Sequence, residues 1–178
     1  MPPRRSALDV ISHSPEQTRQ IGFRLGRLVR ARDLLLLAGQ VGAGKTTFVQ
    51  GLARGLNVEG YVQSPTFALA AEHPGRTSDS EPIVLFHLDF YRLEGAKDLA
   101  TFGYEEYLEA EDGIVAIEWP ERISTAILDE YLLIEFRHLS DSKRRLVFRP
   151  NGVHAGEMIE ALRAEVSGAQ RRPNAARD

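Results

Sequence analysis

The segment Gly39-Gln-Val-Gly-Ala-Gly-Lys-Thr46 constrains the fold of this chain more than any other part of its sequence. It matches the pattern G-x-x-x-x-G-K-[ST], which forms a phosphate-binding loop where a buried strand precedes it and a helix follows it. The apolar run 34–38 precedes the segment, and apolar residues at helical spacing follow it over 45–56. The pattern therefore predicts a strand, a phosphate loop (P-loop) and a helix in succession.

The residue types in this loop suit a nucleotide phosphate. Glycines at 39, 42 and 44 permit backbone torsions that turn successive amides toward phosphate oxygens. Lys45 would supply a positive charge to the β- and γ-phosphates, and the Thr46 hydroxyl is a ligand for Mg²⁺. The alternative is a glycine-rich turn that ends by chance in Lys-Thr. The predicted nucleotide-binding residues are Gly39, Gln40, Val41, Gly42, Ala43, Gly44, Lys45, Thr46 and Thr47.

A length of 178 residues with 43% apolar content corresponds to about one domain. The remaining pattern of strands and helices predicts the α/β class. We expect a single P-loop NTPase domain over 1–166, with a central mixed, mostly parallel sheet, an antiparallel hairpin and flanking helices. The predicted strands are 34–38, 66–71, 82–89 and 113–118, the hairpin is 131–137 with 144–149, and helices begin after Ser14, at Lys45 and at His154. We expect 73–81 to be a flexible surface loop and 167–178 to be a disordered basic tail.

Charge is distributed unevenly along the chain. The formal charge is +6 over 1–54, −12 over 55–130 and +3 over 131–178, for a net charge of −3. A basic first third suits a polyanion such as a nucleotide, and an acidic middle suits metal ions or a basic partner. Solvated helix faces are the alternative interpretation of the same charges.

Other sequence features exclude some classes of protein. The chain has no cysteine, which excludes disulfides and a thiolate nucleophile. No apolar run approaches the ~20 residues that span a bilayer, and the N-terminus lacks the apolar core of a secretory signal. We therefore expect a cytoplasmic protein without membrane contact.

Two predicted strands end in a carboxylate, 82–89 in Asp89 and 113–118 in Glu118. Parallel strands would bring both to the edge of the sheet where α/β proteins bind ligands. One could hold Mg²⁺ and the other could orient an attacking water, or either could be an ordinary strand-end acid. Thr66, in Ser64-Pro-Thr-Phe67, could reach Mg²⁺ or a γ-phosphate, or could belong to a plain turn. None of the asparagines is followed by lysine, so the Asn-Lys-x-Asp guanine signature is absent and ATP is favoured.

Five segments in this order resemble the bacterial TsaE (YjeE) family over roughly residues 12–150. They are 39–48, Val62-Gln-Ser-Pro-Thr-Phe67, His87-Leu-Asp-Phe-Tyr-Arg-Leu93, Phe102-Gly-Tyr-Glu-Glu-Tyr107 and Glu118-Trp-Pro-Glu-Arg122. The resemblance implies a P-loop ATPase that binds ATP and Mg²⁺ and works with the proteins TsaD and TsaB. In that family these partners make threonylcarbamoyladenosine at position 37 of ANN-decoding tRNAs, and ATP hydrolysis, slow in the isolated protein, supports their turnover. Any tRNA contact would then be indirect, through the complex.

The resemblance also implies a role for each matching residue. Lys45 and Thr46 would contact phosphate and Mg²⁺, Glu118 would hold Mg²⁺, Asp89 would act in hydrolysis near the γ-phosphate, and Thr66 would lie in a switch-like loop. The predicted catalytic residues are therefore Lys45, Thr66, Asp89 and Glu118, and the predicted metal ligands are Thr46 and Glu118. Tyr91, Arg92 and Trp119 would lie at the rim of the site.

Several interpretations stay open at this stage. His87 lies two residues before Asp89, so it is either a proton relay or a histidine hydrogen-bonded beside the site. The basic residues 143–145 pack over the adenine, touch tRNA or are solvated turn charges. The chain around 15–18 is another candidate for the base pocket. The functional alternatives are a P-loop kinase for a small molecule and a nucleotide-dependent binding switch.

Overall fold

A seven-stranded sheet runs through the part of the chain that this computed structural model describes, residues 7–124 and 128–170. Its strands are β1 Leu8–Ser12, β2 Leu34–Ala38, β3 Ala70–Arg76, β4 Pro82–Asp89, β5 Gly113–Glu118, β6 Tyr131–His138 and β7 Arg144–Asn151. The helices are α1 Pro15–Gly26, α2 Lys45–Gly55, α3 Ala96–Phe102, α4 Glu105–Glu109 and α5 Val153–Gln170. A short 3₁₀ turn, Pro120–Arg122, follows β5.

The strand order is β1-β7-β6-β2-β5-β4-β3. The four central strands, β6, β2, β5 and β4, are parallel, and the outer pairings are antiparallel. This confirms the predicted α/β class, with a parallel centre and the β6–β7 hairpin. The phosphate loop follows β2, and Asp89 is paired in register with Glu118 at the ends of β4 and β5. The carboxyl edge of the central strands therefore gathers the predicted site residues.

Helices cover both faces of the sheet. One face carries α1, α2 and α5 over an apolar layer that includes Leu25, Phe48 and Ile159, and the other packs against α3, α4 and the turn that follows β5. Helices α1 and α2 approach so closely that a Cβ on Gly22 or Gly51 would overlap the backbone of the opposite helix. This contact brings the start of α1 beside the phosphate loop.

The start of α1 is the one that the sequence predicts. The Ser14 hydroxyl accepts a hydrogen bond from the Gln17 amide at 3.2 Å, and the Gln17 side chain accepts one from the His13 amide at 2.8 Å. This arrangement resembles a capping box, except that Gln17 binds the amide of His13, one residue before the N-cap, and Pro15 is the first helical residue. The cap fixes Thr18, whose methyl carbon would lie 3.7 Å from a Cβ built on Gly44.

The predicted strand 66–71 and the predicted flexible loop 73–81 are both wrong. A turn closed by the Leu69 amide on Pro65 O (2.7 Å) precedes β3, which then pairs antiparallel with β4 as far as Arg76. Pro74 reads as a strand breaker in the sequence, yet it is tolerated because β3 lies at the edge of the sheet, where half of the amides need no partner. Only the residues after Arg76 form the connecting turn to β4.

Three further elements were not predicted, β1, α3 and α4. β1 has only five residues and gains its stability by pairing with β7, and α3 and α4, with seven and five residues, are too short to show a helical period. The last helix continues to Gln170, past the predicted boundary at 166, and the rest of the predicted tail, 171–178, lies outside the described residues. Among the residues described, no helix has the length and apolar character needed to cross a membrane.

Candidate functional site

The phosphate loop has the backbone that its glycines predict. Gly39, Gly42 and Gly44 have φ angles of 154°, 76° and 104°, which side-chain-bearing residues rarely adopt. A Cβ on Gly39 would also lie 2.7 Å from the carbonyl oxygen of Phe136. Gly44 directly precedes α2, so the unpaired amides and the positive end of this helix face the loop. The loop therefore has the geometry of an anion-binding cradle.

A cavity of about 310 Å³ opens over this loop at the carboxyl edge of the sheet. It is lined by Val41, Gly42, Gly44, Lys45, Thr46, Thr47, Ser64, Thr66, Asp89, Tyr91, Glu118 and Trp119. All four predicted catalytic residues and both predicted metal ligands are therefore brought together. The other predicted loop residues, Gly39, Gln40 and Ala43, line a neighbouring cavity of about 400 Å³ instead. Nucleotide binding by this set stays a prediction.

Lys45 is folded back under the loop. Its ammonium donates hydrogen bonds to the carbonyl oxygens of Gly39 and, at 2.9 Å, of Gln40, and only 4% of the residue is exposed. Burial lowers the pKa of Lys45, and the carboxylates of Glu118 and Asp89 oppose that shift. The same ammonium lies 4.5 Å from the ring centroid of Trp119. Trp119, predicted at the rim, thus covers the lysine of the phosphate loop.

Glu118 is the centre of a buried hydrogen-bonded group. Its Oε1 atom accepts a hydrogen bond from the Thr46 hydroxyl at 3.0 Å and lies 2.9 Å from Nε2 of His87. A hydroxyl and a carboxylate are hard oxygen donors of the kind that Mg²⁺ binds. The residues described contain no group of three or more His, Cys, Asp or Glu side chains placed to hold a metal, so a cation here would need water and phosphate oxygens as further ligands.

Asp89 has different partners. Its Oδ2 atom accepts hydrogen bonds from the hydroxyls of Ser64 and, at 3.0 Å, of Thr66, and its Oδ1 atom accepts one from the Tyr91 amide at 2.9 Å. The carboxylate therefore fastens the loop that contains Thr66 to the end of β4. This loop lies across the cavity from Gly42 and Thr46.

The predicted rim residues are divided between two cavities. Tyr91 packs against Trp119 with a ring-centroid distance of 5.0 Å, and the guanidinium of Arg92 lies 4.7 Å from the ring centroid of Phe67. Phe67 is 86% exposed. Of the three predicted rim residues, Tyr91 and Trp119 line the P-loop cavity, whereas Arg92 lines a separate cavity of about 380 Å³ together with Phe67.

The three basic residues of the β6–β7 turn have separate surroundings. Arg144 donates to Gly42 O at 3.3 Å and to Ser140 O at 2.7 Å, which ties the hairpin turn to the phosphate loop. Arg145 instead pairs with Asp9 on β1, away from the cavity, and this contact lowers the pKa of Asp9. Of the predicted cluster 143–145, Arg144 is thus the residue that contacts the P-loop.

Comparison with known proteins agrees with this geometry. The family described as "Threonylcarbamoyl adenosine biosynthesis protein TsaE" matches residues 12–146. The chain belongs to the TsaE family. Its relatives include the tRNA threonylcarbamoyladenosine biosynthesis proteins TsaE of Treponema pallidum, 35% identical over 76% of this chain and 96% of that protein, and of Bacillus subtilis, 32% identical over 84% and 89%. The crystal structure of Bacillus subtilis YdiB superposes with a TM-score of 0.73 and 28% identity over 90% of this chain and 97% of that chain.

Several contacts of this TsaE-family site were missed from the sequence. The sequence indicates no separate role for Ser64 within Ser-Pro-Thr, although its hydroxyl donates a hydrogen bond to Asp89. The contacts of Trp119 with Lys45 and of Arg144 with Gly42 join residues far apart in the chain, and no local pattern signals them. His87 contacts Glu118 and not Asp89, in agreement with a histidine hydrogen-bonded beside the site.

Proposed function

We propose that this TsaE-family protein is a Mg²⁺-dependent ATPase that serves the TsaB–TsaD pair in threonylcarbamoylation of adenosine 37 in ANN-decoding tRNAs. The observation that carries the proposal is the 3.0 Å hydrogen bond from the Thr46 hydroxyl to Glu118 at the floor of the P-loop cavity. It joins the first turn of α2 to the end of β5, where a nucleotide-bound cation needs an oxygen pair. Membership in a tRNA threonylcarbamoyladenosine family supports the biological context.

Each residue would have a distinct part in this reaction. The loop amides and Lys45 bind the phosphates, and Thr46 with Glu118 holds Mg²⁺, which neutralises negative charge on the phosphates when bound. Asp89 lines the same cavity on a neighbouring strand and would orient the attacking water. Hydrolysis by the isolated chain would be slow, with turnover dependent on the partners.

The first test separates binding from chemistry with two variants. Lys45→Ala removes the positive charge that we assign to phosphate binding, so we expect ATP affinity to fall by at least about tenfold. Asp89→Asn keeps the shape of the side chain but removes its charge, so we expect hydrolysis to slow by about 100-fold with little loss of affinity. Calorimetric ATP titration and phosphate release measure the two quantities, with thermal unfolding to verify folding.

Lys97→Ala is a matched control, because it removes an exposed lysine from α3 that does not line the cavity. Unchanged ATP affinity in Lys45→Ala would refute the phosphate-loop assignment. Turnover that requires a small-molecule acceptor, with little phosphate released in its absence, would instead favour a kinase.

The second test concerns the partners. Thr66 and Ser64 fasten their loop to Asp89, so a bound γ-phosphate and Mg²⁺ would change the state of this loop. We expect the purified TsaB–TsaD pair to bind the protein ~5–150-fold differently with an ATP analogue and with ADP, the usual range of such coupling. Thr66→Ala should reduce that difference, and Thr77→Ala, in the turn between β3 and β4, should leave it intact. Equal affinity in every nucleotide state would remove the loop from the mechanism.

A further inference from the structure

His87 is completely buried, and its ring makes one side-chain hydrogen bond, to Glu118. The Nε2 atom lies 2.9 Å from Glu118 Oε1, the same oxygen that accepts the Thr46 hydroxyl. The Nδ1 atom is buried without a hydrogen-bond partner. A leucine would fill this apolar layer without leaving a polar atom unpaired. The contact with Glu118 is therefore what this histidine contributes.

The sheet directs that contact. Alternation along β4 places His87 and Asp89 on the same face, and the parallel register pairs His87 with Ala116 and Asp89 with Glu118. Both His87 and Glu118 thus point to the layer beneath the first turn of α2. Asp89 turns instead to Ser64 and Thr66, which leaves the imidazole to Glu118.

The hydrogen bond has one direction when Glu118 is ionised. A carboxylate only accepts hydrogen bonds, so Nε2 carries the proton and donates it, and Nδ1 holds the unshared pair in the neutral ring. Oε1 then has two donors, one from α2 and one from β4. A glutamate side chain has three rotatable bonds, and two donors on one oxygen restrict it far more than one does.

We propose that His87 is a positioning residue that holds the Glu118 carboxylate in the orientation needed for a divalent cation, and that it thereby sets the Mg²⁺ dependence of nucleotide binding. The inference rests on the proposed function, because it assigns the cation site to Thr46 and Glu118. Outer-shell partners of metal ligands typically contribute about 10- to 100-fold to metal affinity. His87 would act on the cation through Glu118 and would leave phosphate binding by the loop unchanged.

The test measures binding of a fluorescent ADP analogue in the full chain, first in EDTA and then across a Mg²⁺ titration. His87→Phe keeps a planar ring but has no donor, and we expect it to raise the Mg²⁺ midpoint about 10- to 100-fold. Its affinity for the analogue in EDTA should stay within about twofold of the parent, since the loop contacts are intact. His87→Gln places an amide donor near the position of Nε2 and should recover most of the Mg²⁺ response.

His154→Gln is the matched control, because His154 also pairs with a buried carboxylate but lies outside the cavity. It should keep the parental Mg²⁺ midpoint. If His87→Phe does not fold, His87→Leu replaces it, because leucine also lacks a donor and fills the apolar layer. Three results would each overturn the positioning role. They are a Mg²⁺ midpoint equal to that of the parent in the folded donor-free variant, a loss of affinity in EDTA as large as the loss in Mg²⁺, and no recovery of the Mg²⁺ response in His87→Gln. A parent that binds the analogue without any Mg²⁺ response would instead refute the proposed cation site itself.

Discussion

Two histidine–carboxylate pairs lie at opposite edges of the central sheet. His87 and Glu118 meet at 2.9 Å at the carboxyl edge, and His154 and Asp33 meet at 3.0 Å at the amino edge. Both carboxylates are more than nine-tenths buried, and in both histidines Nδ1 is buried without a partner. The chemistry of the two pairs is therefore almost the same.

Their surroundings differ. Asp33 also accepts the Arg30 amide at 2.8 Å, so it closes the turn before β2, and His154 attaches the first turn of α5 to that turn. The adjoining cavity is about 40 Å³, which has room for water but not for a nucleotide. Glu118 opens instead onto about 310 Å³ beside the phosphate loop. The size of the adjoining cavity and the neighbouring residues, more than the chemistry of the pair itself, distinguish a structural contact from a candidate binding site.

The largest expected effect comes from removing the charge of each carboxylate in turn. Glu118→Gln should slow Mg²⁺-dependent hydrolysis by about 10²–10³-fold, because a preorganised charge at the cation is lost while the shape is kept. Asp33→Asn should leave hydrolysis within about twofold of the parent. Phosphate release at several Mg²⁺ concentrations measures both. Comparable slowing of hydrolysis in the two variants would mean that the carboxyl and amino edges of the sheet are coupled. The distinction between the two histidine–carboxylate pairs would then be wrong.

The next effect concerns stability. His154→Leu leaves the Asp33 carboxyl buried without its side-chain donor, so we expect the free energy of unfolding to fall by about 1–3 kcal/mol. Nucleotide binding should not change, since α5 contributes nothing to the lining of the cavity. Urea titration and ADP-analogue binding provide the two readouts. A variant as stable as the parent would show that Asp33 needs only the Arg30 amide.

The site at the carboxyl edge could be predicted from the sequence because its parts have local signatures. The phosphate loop is a continuous motif between a strand and a helix, and Asp89 and Glu118 follow buried apolar runs. Asp33 and His154 belong to no motif and are 121 positions apart in the chain, so only the fold brings them together. The sequence does not predict the partner of His87 either, because that partner, Glu118, lies on a neighbouring strand.

Errors in the fold prediction also have a physical cause. Pro74 and Gly75 are typical loop residues in a sequence. At the edge of a sheet, however, the missing amide of Pro74 costs little stability. Gly75 lets the strand pass close to the end of α2, because a Cβ at this position would lie 2.5 Å from Leu56 O. The short helix α3 carries too few residues for its period to be read. Tertiary contacts decided these elements, and single-sequence patterns do not contain them.

The smallest expected effect is a pH dependence of the unfolding free energy that arises from Asp33. It tests whether the amino-edge pair stabilises the fold. Burial raises the pKa of Asp33 above its ordinary value of 3.8, although the Arg30 amide and His154 oppose the shift. The folded state therefore holds this proton more tightly than the unfolded state does. The resulting stabilisation is fully present below pH 3.8 and is lost as the pH rises through the raised pKa of the folded state.

Asp33→Asn has no such proton and retains a side-chain oxygen that can accept the Arg30 amide. The difference in unfolding free energy, parent minus variant, should therefore fall as the pH rises from 3.8 and then level off above the raised pKa of the folded state. Urea unfolding of both proteins across that range measures it. A difference that grows with pH would mean that His154 stabilises the ionised carboxylate more than burial penalises it. The amino-edge pair would then be an ion pair in its own right, and the contrast with Glu118 would rest on the size of the adjoining cavity alone.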